Sequence, residues 1–337
     1  MKKILALVLT LMMVLSLCAC GAKENPGTTE SGSELDNYPT GNVSMIVPTA
    51  AGTVIDLLTR ALVESTDIGG TIVVENIAGA SQTIATAEAA NRPADGYTIL
   101  ACANAGLLMQ PNIMDLPYSL DSFRHIAMIA PEVCMVVCVR AESDIKNAED
   151  WVNFISSGEP YTYSHGVGAG GLGHLASVQF LPELGSENGT FIAYNGGAET
   201  LTALLNGEID WALVDANDAL TKWKSGELVP IVSVSAEPFA GLEEIPCLTD
   251  LGVAEETLAP YVAWKWVAVS KDTPDEIVEY LKAKINEAVQ SDGYKEYLKN
   301  AGLGDMTKVW TEEELTETLY NASKEYGQLL TELGLAS

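Results

Sequence analysis

The chain has 337 residues, with 46 Asp and Glu against 18 Lys and Arg, and a formal charge of −28. That balance excludes a nucleic-acid binder, which needs a basic stripe to displace counterions, and a protein held to anionic lipid by charge. With three His and no CxxC pair a structural zinc site is not expected, and the length allows two ordinary domains with cores of their own.

Lys2-Lys3 precede an apolar run from Ile4 to Leu17. The run is too short to span a bilayer, which takes about 20 apolar residues, and reads as a secretory signal. It ends in Leu17-Cys18-Ala19-Cys20-Gly21, which resembles a bacterial lipobox with cleavage before Cys20 and lipid on its thiol. An ordinary cleaved signal with two incidental cysteines is the alternative. Residues 1–19 are thus expected to be removed. Residues 20–37, rich in Gly, Ser, Thr, Asn and Glu, are expected to form a flexible tether. The expected location is extracytoplasmic, on the outer face of the cell membrane or in a periplasm, with the lipid as the membrane link.

Folded sequence begins near Tyr38-Pro39. Val43, Met45 and Val47 alternate as a strand requires, Pro48 to Thr53 is a turn of small residues, and Leu57, Leu58, Ala61 and Leu62 mark one face of a helix. Such a turn leaves the first helical N–H groups unpaired and partly positive, a natural site for an anion. The same residues also suit an ordinary βα unit. Thr71–Glu75 is the next strand, Ala80–Ala90 a helix and Tyr97–Cys102 a strand. This alternation predicts a parallel α/β sheet with helices on both faces and ligands beyond the carboxyl ends of the strands.

His125–Ala130 and Val133–Val139 are further strands, and Ala148–Ser156 is a helix. Tyr161–Ser164 then leads into His165-Gly-Val-Gly-Ala-Gly-Gly-Leu-Gly173 and a helix from His174. Gly166, Gly168 and Gly171 have the spacing of a dinucleotide loop. The strand before them is short and polar, however, and Phe191–Tyr194 ends without the required acid. No Lys-Ser/Thr follows, so it is no Walker loop either, and no cofactor is expected. A second anion-binding turn fits better. Tyr194-Asn-Gly-Gly-Ala-Glu199 opens the helix Thr200–Leu205 and makes a third. Ile209–Asp215 is a strand ending in an acid, Leu228–Ser235 is another, and Tyr261–Val269 crosses back to the first lobe. Two amphipathic helices, Pro274–Gln290 and Thr311–Leu330, close the chain; Thr273-Pro274-Asp275-Glu276 is a cap, an N1 proline and early acids.

Ser164 or Ser44 could be drawn with His174 and Asp215 as a catalytic triad, but no Gly-x-Ser-x-Gly elbow is present. An enzyme is not expected. His165 and His174 are expected to satisfy hydrogen bonds of the loop and the helix start. Cys102, Cys134, Cys138 and Cys247 read as small core residues. Cys134 and Cys138 would lie about 13 Å apart on one strand face, too far to bridge, while a bridge from Cys102 to Cys134 or Cys247 stays open.

The order of motifs resembles the extracytoplasmic substrate-binding proteins of tripartite tricarboxylate transporters, the Bug or TctC family. The residues that carry it are Ile46-Val-Pro-Thr-Ala-Ala-Gly52 with Asp56, Val73-Val-Glu-Asn76 with Gly79, Ala94-Asp-Gly-Tyr-Thr-Ile-Leu100 and Leu116-Pro-Tyr118, followed by Thr162-Tyr163, His174-Leu-Ala176, Tyr194-Asn-Gly-Gly-Ala198, Gly207-Glu-Ile-Asp210 and Ile245-Pro246. The resemblance implies a two-lobed α/β fold of the type II periplasmic binding-protein (Venus flytrap) class. Residues 38–130 and 261–337 would form lobe 1 and residues 131–260 lobe 2. It implies a monomeric receptor, tethered by lipid, that captures a small organic acid between the lobes and delivers it to a membrane permease. The same fold serving as a ligand sensor, or binding a solute that is not a carboxylate, is the alternative. By position, one carboxylate would meet Thr49, Ala50, Ala51, Gly52 and Thr53, with Asn104 near it. The other end of the ligand would meet Ser164, His165, Gly166, Asn195, Gly196, Gly197 and Ala198, with Asp215 closing the floor. The chain departs from the family pattern at Thr49, Thr53, Val54 and Ile55, at Glu199, and at Trp264-Lys265-Trp266, where Lys stands for an aromatic. Lys265 is expected at the surface; turned into the cleft, it would offer a point charge to a carboxylate.

Overall fold

A computed structural model of the chain describes residues 34–336, apart from Cys134, 167–169, Asn195, Glu237, Ala240, 259–260, Gly302 and 304–307. The leader, Cys20 and most of the tether lie outside the described residues. Two five-stranded sheets form two lobes. The first is built from β1 (Val43–Val47), α1 (Val54–Ser65), β2 (Ile72–Asn76), α2 (Thr83–Asn91), β3 (Thr98–Ala103) and β4 (Phe123–Val133). The second holds β5 (Met135–Arg140), α3 (Ala148–Ile155), β6 (Tyr161–His165), α4 (Leu172–Glu183), β7 (Gly189–Phe191), α5 (Gly197–Asn206), β8 (Trp211–Asp215), α6 (Ala216–Lys224), β9 (Leu228–Val234) and the one-turn α7 (Glu255–Leu258). The chain then returns to the first sheet as β10 (Ala263–Ser270) and ends in α8 (Asp275–Val289), α9 (Asp292–Asn300) and α10 (Glu312–Glu332).

The strand orders are β2-β1-β3-β10-β4 and β7-β6-β8-β5-β9. Each sheet has three parallel strands followed by one antiparallel strand, β10 in the first and β5 in the second. The expected all-parallel sheet is therefore corrected to a mixed one. The physical reason is the double crossing: β5 and β10 are the strands on which the chain enters each lobe from the other. They run against their neighbours and so bring their N-terminal ends to the edge where the parallel strands end. Val133 pairs with Ala263, so the two crossings lie side by side.

Central strands read as near-continuous apolar runs because helices cover both faces. Met45, Ile46, Leu58, Leu62, Ile99 and Trp266 are fully buried in the first lobe, and Trp151, Trp211 and Phe180 in the second. Tyr163 stacks on Trp211 with ring centroids 4.5 Å apart, and Trp151 meets Trp211 edge-on at 5.4 Å. Each such side chain contributes on the order of 2 kcal/mol by leaving water. Arg124 of β4 grips Glu312 of α10 through two hydrogen bonds of 2.8 and 3.1 Å, fastening the last helix to the sheet.

Three local expectations change. The helix expected from Ala80 begins at Thr83, because Ala80, Ser81 and Gln82 form a left-handed turn with φ of 44°, 50° and 77°. The strand expected at Phe191–Tyr194 is the short β7, ending at Phe191. A third C-terminal helix, α9, stands where two were expected; Ser291 caps it by accepting from Tyr294 N–H. Cys102, Cys138 and Cys247 are buried and carry thiols, so no bridge joins Cys102 to Cys247; Cys134 lies outside the described residues.

Candidate functional site

The carboxyl ends of β1, β3, β6 and β8 and the starts of β5 and β10 converge on one cleft of about 910 Å³. It is lined from the first sheet's side by Thr49, Ala50, Thr53 and Asn104, and from the second's by His165, Gly166, Gly196, Gly197, Ala198 and Asp215. Ala51, Gly52 and Ser164 were expected there and are not part of the lining. Asn195 lies outside the described residues.

The first turn is held from behind. Asp56 is 1% exposed and accepts from Gly52 N–H at 2.8 Å and from Asn76 Nδ2 at 2.8 Å. Asn76 Nδ2 also donates to Thr49 O at 3.1 Å, and Arg60 pairs with Asp56 at 3.0 Å. Burial works to raise the Asp56 pKa, but the bonds from Arg60, Gly52 and Asn76 outweigh it, and the carboxyl stays ionised below its usual range. Gly52 takes φ +86° to make this turn. Its N–H is thus committed to Asp56 and faces away from the cleft. Thr53 donates its hydroxyl to Ala50 O at 3.0 Å, so Thr49 donates to Thr53 Oγ1 at 2.6 Å. Neither hydroxyl caps α1, and the helix start is left open toward the cleft.

Ser164 is fully buried and donates to Ile192 O at 2.6 Å, which ties β6 to the segment after β7 and turns the hydroxyl away from the ligand space. Gly166 must lack a side chain: a Cβ there would lie 2.6 Å from Gly197 N and Cα. That close approach sets the start of α5 against the end of β6. Gly196 is extended at φ 178° and gives α5 no side-chain cap. Gly196 and Gly197 have nothing within 4 Å of an added Cβ, so this helix start is also bare. Asn104 serves a structural bond as well: its Nδ2 donates to Val262 O at 2.8 Å and to Tyr326 OH at 2.9 Å, pinning β3 to β10 and α10, while its buried Oδ1 has no partner among the described residues.

The histidines divide. His174 Nδ1 accepts from Gly170 N–H at 2.9 Å, a helix-start bond as expected. His165 does not match its expectation: it is 6% exposed, its ring lies where a Cβ on Gly173 would sit, and its Nδ1 has no partner among the described residues. Burial lowers its pKa, Lys265 adds to that and Asp215 opposes it, so the ring is neutral.

Lys265 corrects the sequence reading most sharply. It lines the cleft instead of the outer surface. Burial lowers its pKa, and Asp215 acts in the opposite direction. The pairing of β10 with β4 shifts register on both sides of Lys265, which re-aims the side chain. Sequence reasoning also missed Gly79–Gln82, whose left-handed turn forms part of the cleft wall, with Gln82 Oε1 accepting from Gly106 N–H at 3.1 Å. The three consecutive non-glycine residues give no sign of that backbone.

Residues 59–335 match the model of the TctC family, described as the tripartite tricarboxylate transporter family receptor. The chain is 25% identical over 311 residues to a UPF0065 protein of Bordetella pertussis, a match covering 90% of this chain and 93% of that protein. The structure of the periplasmic binding protein BugD is similar, with a TM-score of 0.75 at 25% identity, covering 89% of this chain and 99% of that one. An R. palustris protein solved with adipate shares the fold at 22% identity, with a TM-score of 0.75 over 89% and 99% of the two chains. With the family match running through both lobes and the cleft between them, the chain belongs to the tripartite tricarboxylate transporter family receptors, solute-binding proteins of the two-lobed periplasmic type.

Proposed function

We propose that this chain is a lipid-tethered receptor that captures a small organic carboxylate in its cleft and delivers it to a membrane permease of the tripartite tricarboxylate type. The observation that carries the reading is the pair of bare helix starts, at Thr53 of α1 and Gly196 of α5, opening on one cleft from opposite sheets. Each offers unpaired N–H donors and partial positive charge worth roughly 0.3–1 kcal/mol toward an anion. Such groups act inside the cleft, while the field of the −28 chain decays over about 8 Å at physiological salt. The residues proposed to hold the ligand are Thr49, Ala50, Thr53, Gly166, Gly196, Gly197 and Ala198, with His165, Asp215 and Lys265 at the floor. Asp56, Asn76 and Ser164 position the turns. Ligand bridging both lobes favours their closed arrangement, and that arrangement is what the permease reads. The lipid on Cys20 keeps the receptor beside it.

The test is a thermal-shift screen of the purified protein against di- and tricarboxylates, aromatic acids, amino acids, and neutral and cationic solutes. A ligand at 100 times its dissociation constant adds about 2.7 kcal/mol, a shift of several degrees. A shift with carboxylates supports the receptor reading. Shifts confined to neutral or cationic solutes, or none across the panel, overturn it.

A further inference from the structure

Asp215 closes β8 in the second lobe and Lys265 stands near the start of β10 in the first; both line the cleft. Among the described residues the Asp215 carboxylate accepts no hydrogen bond, and no carboxylate lies within 4.0 Å of the Lys265 ammonium. That ammonium contacts the carbonyl of Ala263 at a long 3.4 Å. The two opposite charges attract each other across the cleft, Asp215 working against the burial that lowers the Lys265 pKa, but they make no direct ion-pair contact. Neither has a counter-ion in hydrogen-bond contact, so each can take up a charged group of the ligand, and a buried charge gains most from such a contact.

A second feature stands on its own. Beside Asp215 the cleft continues into a side cavity of about 90 Å³, lined by His165, Thr200, Asp215 and Asp218. Thr200 is 1% exposed, and neither its Oγ1 nor His165 Nδ1 has a hydrogen-bond partner among the described residues. Every one of these four groups can accept: two carboxylates, a hydroxyl and the nitrogen of a neutral imidazole. Partial desolvation, and then the neighbouring Asp215 carboxylate, hold the Asp218 carboxyl above its usual range against the smaller opposing effect of Lys222, so the two acids repel across this wall. An ammonium group, with three donors and no acceptor, matches such a wall; a carboxylate does not. Gly166 and Gly197 line both spaces, so the bare start of α5 adjoins the acceptor cluster.

The geometry points to an α-amino acid as the ligand, its carboxylate on the N–H groups of Gly197 and Ala198, its ammonium at Asp215 and the mouth of the side cavity, and its remainder along the main cleft toward Lys265. The head group carries no net charge, so the acidic surface does not oppose its approach. The inference rests on the receptor reading above and narrows its ligand class.

Isothermal titration of the purified protein with matched pairs tests it: L-glutamate against glutarate, L-aspartate against succinate, and L-leucine against 4-methylpentanoate. The amino member of at least one pair should bind tenfold or more tighter than its deamino partner. Asp215→Asn should lower that ratio at least tenfold, with a melting temperature within a few degrees of the parent showing that the variant is folded. Lys265→Met should weaken both members by similar factors and leave the ratio standing. Deamino members binding as tightly as their amino partners, or a ratio untouched by Asp215→Asn, overturn the ammonium assignment and leave the carboxylate receptor intact. No binding by any pair or by the wider carboxylate panel overturns both.

Discussion

His125 sits inside β4 at 1% exposure, and its Nδ1 accepts from Trp266 Nε1 at 3.0 Å. It works as a core residue, and its chemistry is visible in stability. Burial drives its pKa down to about 4, against smaller opposing effects of Leu120 and Glu312. The unfolded chain holds this proton at the ordinary value near 6.5, so it binds more protons than the folded one throughout the window between the two. The stability His125 contributes is complete above about pH 6.5 and is lost as pH falls toward 4, by about 3 kcal/mol. His165 and His174, also shifted down by burial, act in the same direction. Urea midpoints measured from pH 7 to 4.5 should fall, and His125→Gln, which keeps an acceptor for Trp266, should flatten the slope between pH 6.5 and 5. An unchanged slope in that variant would assign the loss to other groups.

At the scale of elements, the cleft is made by what helices lack at their starts. α10 begins with a full capping box, Thr311 and Glu314 satisfying each other's backbone N–H groups, and neither residue lines the cleft. α1 and α5 have Thr53 and Gly196 at the equivalent position with no side-chain cap, and these two face the cleft. Leaving a cap out costs about 1 kcal/mol of helix stability, which a bound anion restores. Gly197 is the place to test this, since a side chain added there meets no protein atom within 4 Å and projects into open space. Gly197→Val should keep the fold, with a melting temperature within a few degrees of the parent, and lower carboxylate affinity at least tenfold. Unaltered affinity in a folded Gly197→Val protein would move the binding site away from the start of α5. The left-handed turn at Ala80–Gln82 is the opposite case. It is a strained element, each non-glycine residue there costing on the order of 1 kcal/mol, and it is retained in the cleft wall by Gln82 bonding Gly106 N–H.

For the whole molecule, two five-stranded sheets are joined by two adjacent crossings, at Val133 and Ala263. No helix among the described residues is long and apolar enough to cross a membrane. The proposed attachment rests on Cys20, outside the described residues; Glu34–Asn37, expected to end a flexible tether, instead form a 3-10 helix whose Leu35 packs on the core, because an apolar side chain there finds a buried partner. Cys20→Ser in the native host should move the protein from the membrane fraction to the soluble extracytoplasmic fraction. Continued co-sedimentation of that variant with membranes would sink the anchor proposal.

Much of this architecture was legible in the residues. The β1–turn–α1 unit was placed to its first strand residue, because alternation, a small-residue turn and helical spacing are all local signals. The strand–glycine–helix turns at Gly166 and Gly197 were found for the same reason. What required the tertiary structure was everything decided by partners distant in sequence. The direction of β5 and β10 follows from the double crossing. α9 forms although Ser291-Asp292-Gly293 reads as a turn, because Tyr294 and Leu298 are buried and Tyr294 OH bonds Ile129 O at 2.5 Å. Gly52 and Ser164 carry the right residue types for a ligand, but their polar groups are taken by Asp56 and Ile192. Lys265, between two buried tryptophans, reads as the exposed face of a strand; register shifts against β4 turn it into the cleft opposite Asp215. Periodicity determines which residues share a face. Only the pairing of strands from the two halves of the chain decides which face meets the ligand.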